Sequence, residues 1–447
     1  MDFIEEVKYW IEQAKKADPY YQVFGASKNK YQFAPPIDLK EVRAFEQEHH
    51  LKLPENYVRV LTELGNGGPG PYYGLYPLNR ILNTFVDVWE MPEPVTGKDE
   101  TFIDDSLTLE KWSEMNRMMD EAEDDAAYDL LLEKCMANAV MICDQGCTYE
   151  SMMMCSGSAN GKIFNIEWSE VWKHGPKPTH MTFEEWYLGY FREVAAKNKI
   201  SWYGYYRLGT EEELIAAYEK AADLEPESRR EERLEILSSL DRFRQLSSDT
   251  ISRLIRNPDD SIIASLIYLI LHSDKATGLA MFDERFYGDH PEKVILMCRS
   301  IPDESKDKYY QRALEILYSP EISERPIPAI AGRGEEPCAE RLLFFLGKCP
   351  CRSAKDLISY AKSGQNPDEC RGTAAYVICE CPDVAQYQTE IAELMHSSVY
   401  RVAFNAMQGA DRAKLREPVI MDAFRWMKEH YRDDQTIQNN LARIEGL

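Results

Sequence analysis

Apolar residues recur at helical spacing from the start of the chain: Ile4, Val7, Trp10, Ile11 and Ala14 share one stripe, and Asp18-Pro19 ends the run. Pro35-Pro36-Ile37 leads into Asp38, with Glu41 three positions on. That is an N-cap and its capping-box partner, opening a helix that carries Leu39, Val42 and Phe45. Pro54 suits the first position of another helix, whose inner face is Tyr57, Val58, Leu61 and Leu64 and whose stop is Gly65. Residues 65–78 are rich in Gly and Pro, then in Tyr, as a turn entering a strand-like segment would be. Ala139–Cys143, Cys147–Cys155 and Lys162–Trp168 are short runs rich in Val, Ile, Met, Tyr and Phe between Gly, Ser and Asn turns, and they read as antiparallel strands. Thr182 with Glu185 starts a helix whose Phe183, Trp186, Tyr187, Tyr190, Phe191 and Val194 can lie across that sheet. The pattern predicts an α+β domain over residues 1–206.

From about residue 208 the strand signals stop, and residues 207–447 read as an all-α domain, opened by a capping box at Thr210 and Glu213. The preceding stretch holds Trp202, Tyr203, Tyr205 and Tyr206, too aromatic for a free linker, and is expected to be packed. Arg312, Arg341, Arg371 and Arg401 are spaced by 29, 30 and 30 residues, and each begins an apolar helix. Three of those helices end alike, at Pro320, Pro350 and Pro382. A constant period of this size marks stacked helix pairs, each burying its apolar face against its neighbours. The pattern looks like degenerate HEAT-type repeats, with a shorter period than usual for that class. The arginines have two readings: bonds to the preceding repeat, or a row lining a binding groove.

The blocks Leu51-Lys52-Leu53-Pro54-Glu55-Asn56-Tyr57, Leu61-Thr62-Glu63-Leu64-Gly65-Asn66-Gly67-Gly68 and Tyr73-Gly74-Leu75-Tyr76-Pro77 resemble the hallmark of SUKH domains. Ile142-Cys143-Asp144-Gln145-Gly146-Cys147 and the stretch Gly157 to Gly161, leading into Lys162-Ile163-Phe164, resemble later blocks of that family. The resemblance covers roughly residues 35–195. It implies a curved, mostly antiparallel sheet with flanking helices, in which Leu53, Pro54, Tyr57, Leu61, Gly67, Gly68, Tyr73, Gly74, Gly146, Gly157 and Gly161 are structural. It also implies a binding module without a catalytic set: many bacterial members are immunity proteins that neutralise toxins, and eukaryotic members are regulators.

A formal charge of -24 disfavours direct contact with nucleic acid or anionic lipid. The charge is concentrated in an insertion at about residues 95–135. Between Asp99 and Glu133 thirteen acids face two bases, a net of -11, against -14 for residues 1–206 as a whole. One reading is a solvated helix face. The other is a docking patch, centred on Asp120, Glu121, Glu123, Asp124, Asp125 and Asp129, for a basic protein such as a nucleic-acid-cutting toxin domain.

No motif points to chemistry. Gly65, Gly67 and Gly70 spell a dinucleotide fingerprint, but a helix precedes the loop and prolines follow it, the reverse of what a phosphate cradle needs. The C-x-C pairs Cys349/Cys351 and Cys379/Cys381 have weak zinc spacing, and the eleven cysteines read mainly as buried reduced thiols. The eight histidines are scattered, and no catalytic signature is present. The first residues lack the basic and apolar regions of a secretory signal, and no run is long enough to span a bilayer, so the expectation is a cytoplasmic protein without cofactor or metal. The leading expectation is an immunity protein that neutralises a polymorphic toxin by direct binding. The alternative is a regulator or scaffold whose helical repeats hold a cellular protein.

Overall fold

The computed structural model describes residues 1–82, 95–98, 101–256, 258–328 and 334–444. The chain divides into two compact units, Met1–Arg253 and Leu254–Leu447.

The first unit is built on a four-stranded antiparallel sheet in the order β1 (Ala139–Gly146), β2 (Tyr149–Met154), β3 (Lys162–Glu167), β4 (Lys177–Thr182). Met152, Met153 and Met154 are all fully buried, so both faces of β2 are covered and the strand shows no polar alternation. Helix α1 (Phe3–Ala17), helix α2 (Leu39–Glu48) and the short helix α3 (Glu55–Arg59) precede the sheet, and α2 opens on the Asp38–Glu41 capping box. Pro54 takes the N-cap position of α3 rather than its first helical position. The chain continues from α3 as a π-helical turn, Val60–Leu64, which stops at Gly65. Helices α4 (Leu109–Asp120) and α5 (Asp125–Cys135) form the acidic insertion, and α6 (Phe183–Ala195) follows β4 on the Thr182–Glu185 box. α6 packs on α1 and on β3 and β4.

Two features of this unit differ from the sequence pattern. The aromatic stretch after Gly70 is a wrapped loop rather than a strand, because Pro71 and Pro77 have no N–H to give a ladder. It still closes the edge of β1 through Tyr73 N to Asp144 O (3.1 Å) and Tyr76 N to Ile142 O (2.9 Å). The second difference is β4, an edge strand that contains Pro178 and an irregular register, both of which erase a period-two signal.

The sequence pattern changes at residues 206–207, whereas the contact division falls after Arg253. Helices α7 (Glu211–Lys220) and α8 (Pro226–Leu240) thus belong to the first unit. One cause is Arg242, 2% exposed, whose Nε lies 3.0 Å from Glu193 Oε2 on α6 and whose Nη1 donates to Ser239 O at 2.7 Å. The aromatic connection is packed as well. Tyr203 is buried and donates to Trp186 O (2.6 Å), and Gly204 O accepts from Asn165 Nδ2 (3.1 Å), although Trp202 stays exposed.

Among its described residues the second unit's regular structure is helical apart from a small ribbon, Pro326–Pro328 with Glu335–Pro337, that the pattern did not suggest. Its four arginine-bearing helices, Tyr310–Leu317, Cys338–Leu346, Asp368–Ile378 and Tyr400–Arg412, stack in sequence order. The intervening helices Lys355–Lys362, Gln388–Met395 and Pro418–His430 form a second layer. In the first repeat the second helix shrinks to Pro320–Ser323, and the ribbon follows it. No described helix is long and apolar enough to cross a membrane.

Candidate interaction surface

The acidic insertion is anchored by one large side chain. Trp112 on α4 is buried, donates its Nε1 to Val171 O at 2.8 Å and lies against Gly175, where a Cβ would come within 2.7 Å of its ring. Met115 and Met119 follow at helical spacing into the same core. α5 is held far less: of its residues only Cys135 is fully buried. Leu130, 65% exposed, and Tyr128 stand on its surface beside Asp129, and Met118 and Leu109 are exposed on α4.

Three bases in and beside the insertion are engaged by its own acids. Lys98 pairs with Glu133 (2.8 Å), Lys111 with Asp104 (3.0 Å) and Arg117 with Glu114 (2.6 Å). Asp104 and Glu114 are held below the usual carboxylate range; for Asp104 burial opposes the hydrogen bonds from Ser106 and Lys111 that lower it, and Glu114 is lowered chiefly by Arg117.

The six expected patch residues are all exposed and gather where α4 ends and α5 begins. They are not equivalent. Asp124 is the N-cap of α5, accepting from Ala127 N at 2.9 Å, and Glu121 shares Arg117 at 3.4 Å. Asp120, Glu123, Asp125 and Asp129 form no ion pair with any described residue. Asp120 and Glu121 also stand at the C-terminal end of α4, where the helix dipole disfavours negative charge. Asp99 and Glu100, counted in the same charge run, lie outside the described residues.

The motif residues hold the loop that follows Gly65. Leu53, Tyr57 and Leu61 are buried, and Pro54 packs 3.8 Å from where a Cβ on Gly161 would sit. Gly74, at φ 95, passes so close to Gly68 O that a Cβ would lie 2.1 Å from it. Gly146 accepts the Tyr73 ring in the same way, and Gly67, Gly68 and Gly157 also have positive φ.

The four repeat arginines bond neighbouring backbone and acids. Arg312 donates to Phe286 O and Gly288 O, Arg371 to Ala361 O, Arg341 pairs with Glu336, and Arg401 reaches Glu340 and Glu369. All eleven cysteines are free thiols, and among the described residues no three His, Cys, Asp or Glu side chains converge as a metal site requires.

One buried carboxylate escaped the sequence reading. Glu150 in β2 accepts from Tyr76 hydroxyl (2.8 Å) and Trp168 Nε1 (2.7 Å), and burial holds it above the usual carboxylate range against those two bonds.

An antiparallel sheet with helices before and after is the arrangement the family resemblance implies; here the Gly-rich loop closes its edge. Residues 36–189 match the SMI1 / KNR4 family (SUKH-1). The SUKH-1 match covers about a third of the chain, from just before α2 into α6, and includes the whole sheet and the acidic insertion. The SUKH family is known for immunity proteins and regulators and is generally non-catalytic. No curated protein matches the chain.

Proposed function

We propose that this chain is a protein-binding module without chemistry of its own, and that it neutralises a basic toxin domain by covering that domain's active surface. The SUKH-1 match supports binding as the mode of action. The observation that carries the reading is the set of four unpaired carboxylates, Asp120, Glu123, Asp125 and Asp129, beside exposed Met118, Tyr128 and Leu130. A toxin that cuts nucleic acid must present a basic cleft, and clustered carboxylates with apolar neighbours complement it in charge and in contact area.

The position of Asp120 and Glu121 favours the same reading. Acids at a helix C-terminus cost about 0.3–1 kcal/mol each, a cost that a basic partner removes on docking. In this reading the protein acts in the cytoplasm of the cell that makes the toxin. The test is co-expression with the toxin domain encoded beside its gene. Cells survive with the unaltered chain and die with a chain whose four unpaired acids are changed to amides; survival with both sinks the proposal.

A further inference from the structure

The sheet of the first unit carries a row of polar side chains on a face that is covered. Gln145 of β1, Ser151 of β2, Asn165 of β3 and Thr179 of β4 are all buried. Gln145 Nε2 donates to Asn165 Oδ1 (2.7 Å) and to Ser151 Oγ (2.9 Å), and Ser151 Oγ donates to the same Asn165 oxygen (3.1 Å). These bonds fix both amides, so the row offers Asn165 Nδ2 as a set donor and Gln145 Oε1 as a set acceptor.

One short segment of the chain takes both. Asn165 Nδ2 donates to Gly204 O (3.1 Å), and Gln145 Oε1 accepts from the Tyr205 hydroxyl (3.2 Å). Tyr203 O accepts from the Tyr72 hydroxyl (2.8 Å), and the Tyr203 hydroxyl donates to Trp186 O (2.6 Å). That hydroxyl lies against Gly189 of α6, where a Cβ would come within 2.7 Å of it. Glycine weakens the helix that contains it, and here the missing side chain makes the notch that admits Tyr203. Tyr72, Gln145, Asn165, Trp186 and Gly189 all lie within the matched residues 36–189, whereas Tyr203, Gly204 and Tyr205 lie beyond them.

The segment is held as a bound peptide is held, by side chains reading its carbonyls and hydroxyls. Among the described residues no backbone-to-backbone hydrogen bond joins residues 200–206 to the rest of the unit, and Tyr205 N bonds within the segment, to Trp202 O. Trp202 is exposed and has φ 59, a strained conformation for a bulky residue. On its open side the segment borders a groove of about 1280 Å³, lined by residues 204–210, β4 and α6. Trp186 Nε1 is buried 3.5 Å from where a Cβ on Gly204 would sit and has no hydrogen-bond partner among the described residues, so the segment leaves one donor of the site unmet.

We propose that this face of the sheet is a recognition site for an aromatic-glycine-aromatic turn of a partner protein, and that the chain's own Tyr203-Gly204-Tyr205 occupies it until such a turn displaces it. The site reads two carbonyls, two hydroxyls and a central residue without a side chain. The acidic insertion takes no part in it.

Fluorescence anisotropy on the full chain, with a labelled peptide of residues 200–208, tests this. Gly204→Ala loosens the chain's own turn, because Gly204 has φ 84 and its added Cβ would lie 3.1 Å from Asn165 Nδ2. The peptide binds the Gly204→Ala chain at least about tenfold tighter than the unaltered chain, whose site is filled. A peptide with alanine for its glycine, or with the same residues in reversed order, binds the Gly204→Ala chain at least about tenfold more weakly. Tyr203→Phe keeps the ring and loses only the bond to Trp186 O; this chain also binds the peptide tighter than the unaltered one, with the same ranking of peptides, and it decides the matter should Gly204→Ala not fold. Binding to neither variant, equal binding to variant and unaltered chains, or equal binding of the three peptides overturns the proposal.

Discussion

Arg401 crosses the backbone of Gly372 and brings its guanidinium to 3.5 Å from Glu340, on the helix beyond the one it packs against. Glu340 also accepts from Thr373 Oγ1 at 2.7 Å, so three stacked helices share one polar rung that is exposed at its Arg401 end. The crossing depends on the missing side chain: a Cβ on Gly372 would lie 2.5 Å from Arg401 Cγ.

Gly372→Ala therefore has a sign that depends on its neighbour. In the unaltered chain the methyl displaces Arg401 and destabilises by about 1–3 kcal/mol. In an Arg401→Ala background the same change gains about 0.5–1 kcal/mol, as alanine does for glycine inside a helix. Urea denaturation of the four chains of this cycle measures both; destabilisation in both backgrounds contradicts the crossing.

Glu150 makes stability depend on pH in an unusual direction. Its folded-state pKa is raised, so its contribution is fully present below the unfolded carboxylate pKa and is lost as pH rises through the folded value. Glu150→Gln can keep both contacts by accepting from Trp168 and donating to Tyr76, and it removes this slope. Glu150→Ala leaves two buried donors unmet and costs about 2–4 kcal/mol. Denaturant midpoints across acidic to neutral pH distinguish the three chains, and an unaltered slope in Glu150→Gln refutes the assignment.

The acids of the insertion separate into structural and free ones. Asp124→Ala removes an N-cap and costs about 1 kcal/mol, whereas Asp120→Asn relieves the end of α4 and stabilises by about 0.3–1 kcal/mol. Thermal melts of the two variants should shift in opposite directions.

Arg242→Ala leaves half-buried Glu193 with Asn198 as its remaining side-chain partner and costs about 1.5–3 kcal/mol. Melting of the first unit reports it. A loss under 1 kcal/mol would mean that the helices after residue 206 contribute little to the sheet-bearing unit.

How much of this was legible follows from the range of the interactions. The capping boxes Asp38–Glu41, Thr182–Glu185 and Thr210–Glu213 join residues three apart, so the sequence shows them directly and all three are present. The arginine period was visible too, because stacked repeats restate one local pattern. β4 was not, since its bulge and Pro178 remove the alternation that identifies a strand. Nor could spacing decide which of Glu123, Asp124 and Asp125 caps α5, because each precedes a plausible helix start. The groove and Glu150 are products of packing between segments far apart in the chain, and no local signal encodes them.

The measurement that bears most directly on the account is the association rate between the full chain and the toxin domain encoded beside its gene, at low and high salt. Asp120, Glu123, Asp125 and Asp129 changed together to amides should slow association by about tenfold or more at low salt and flatten its salt dependence. Association at the unaltered rate, with the same salt dependence, would contradict the claim that this surface works by charge.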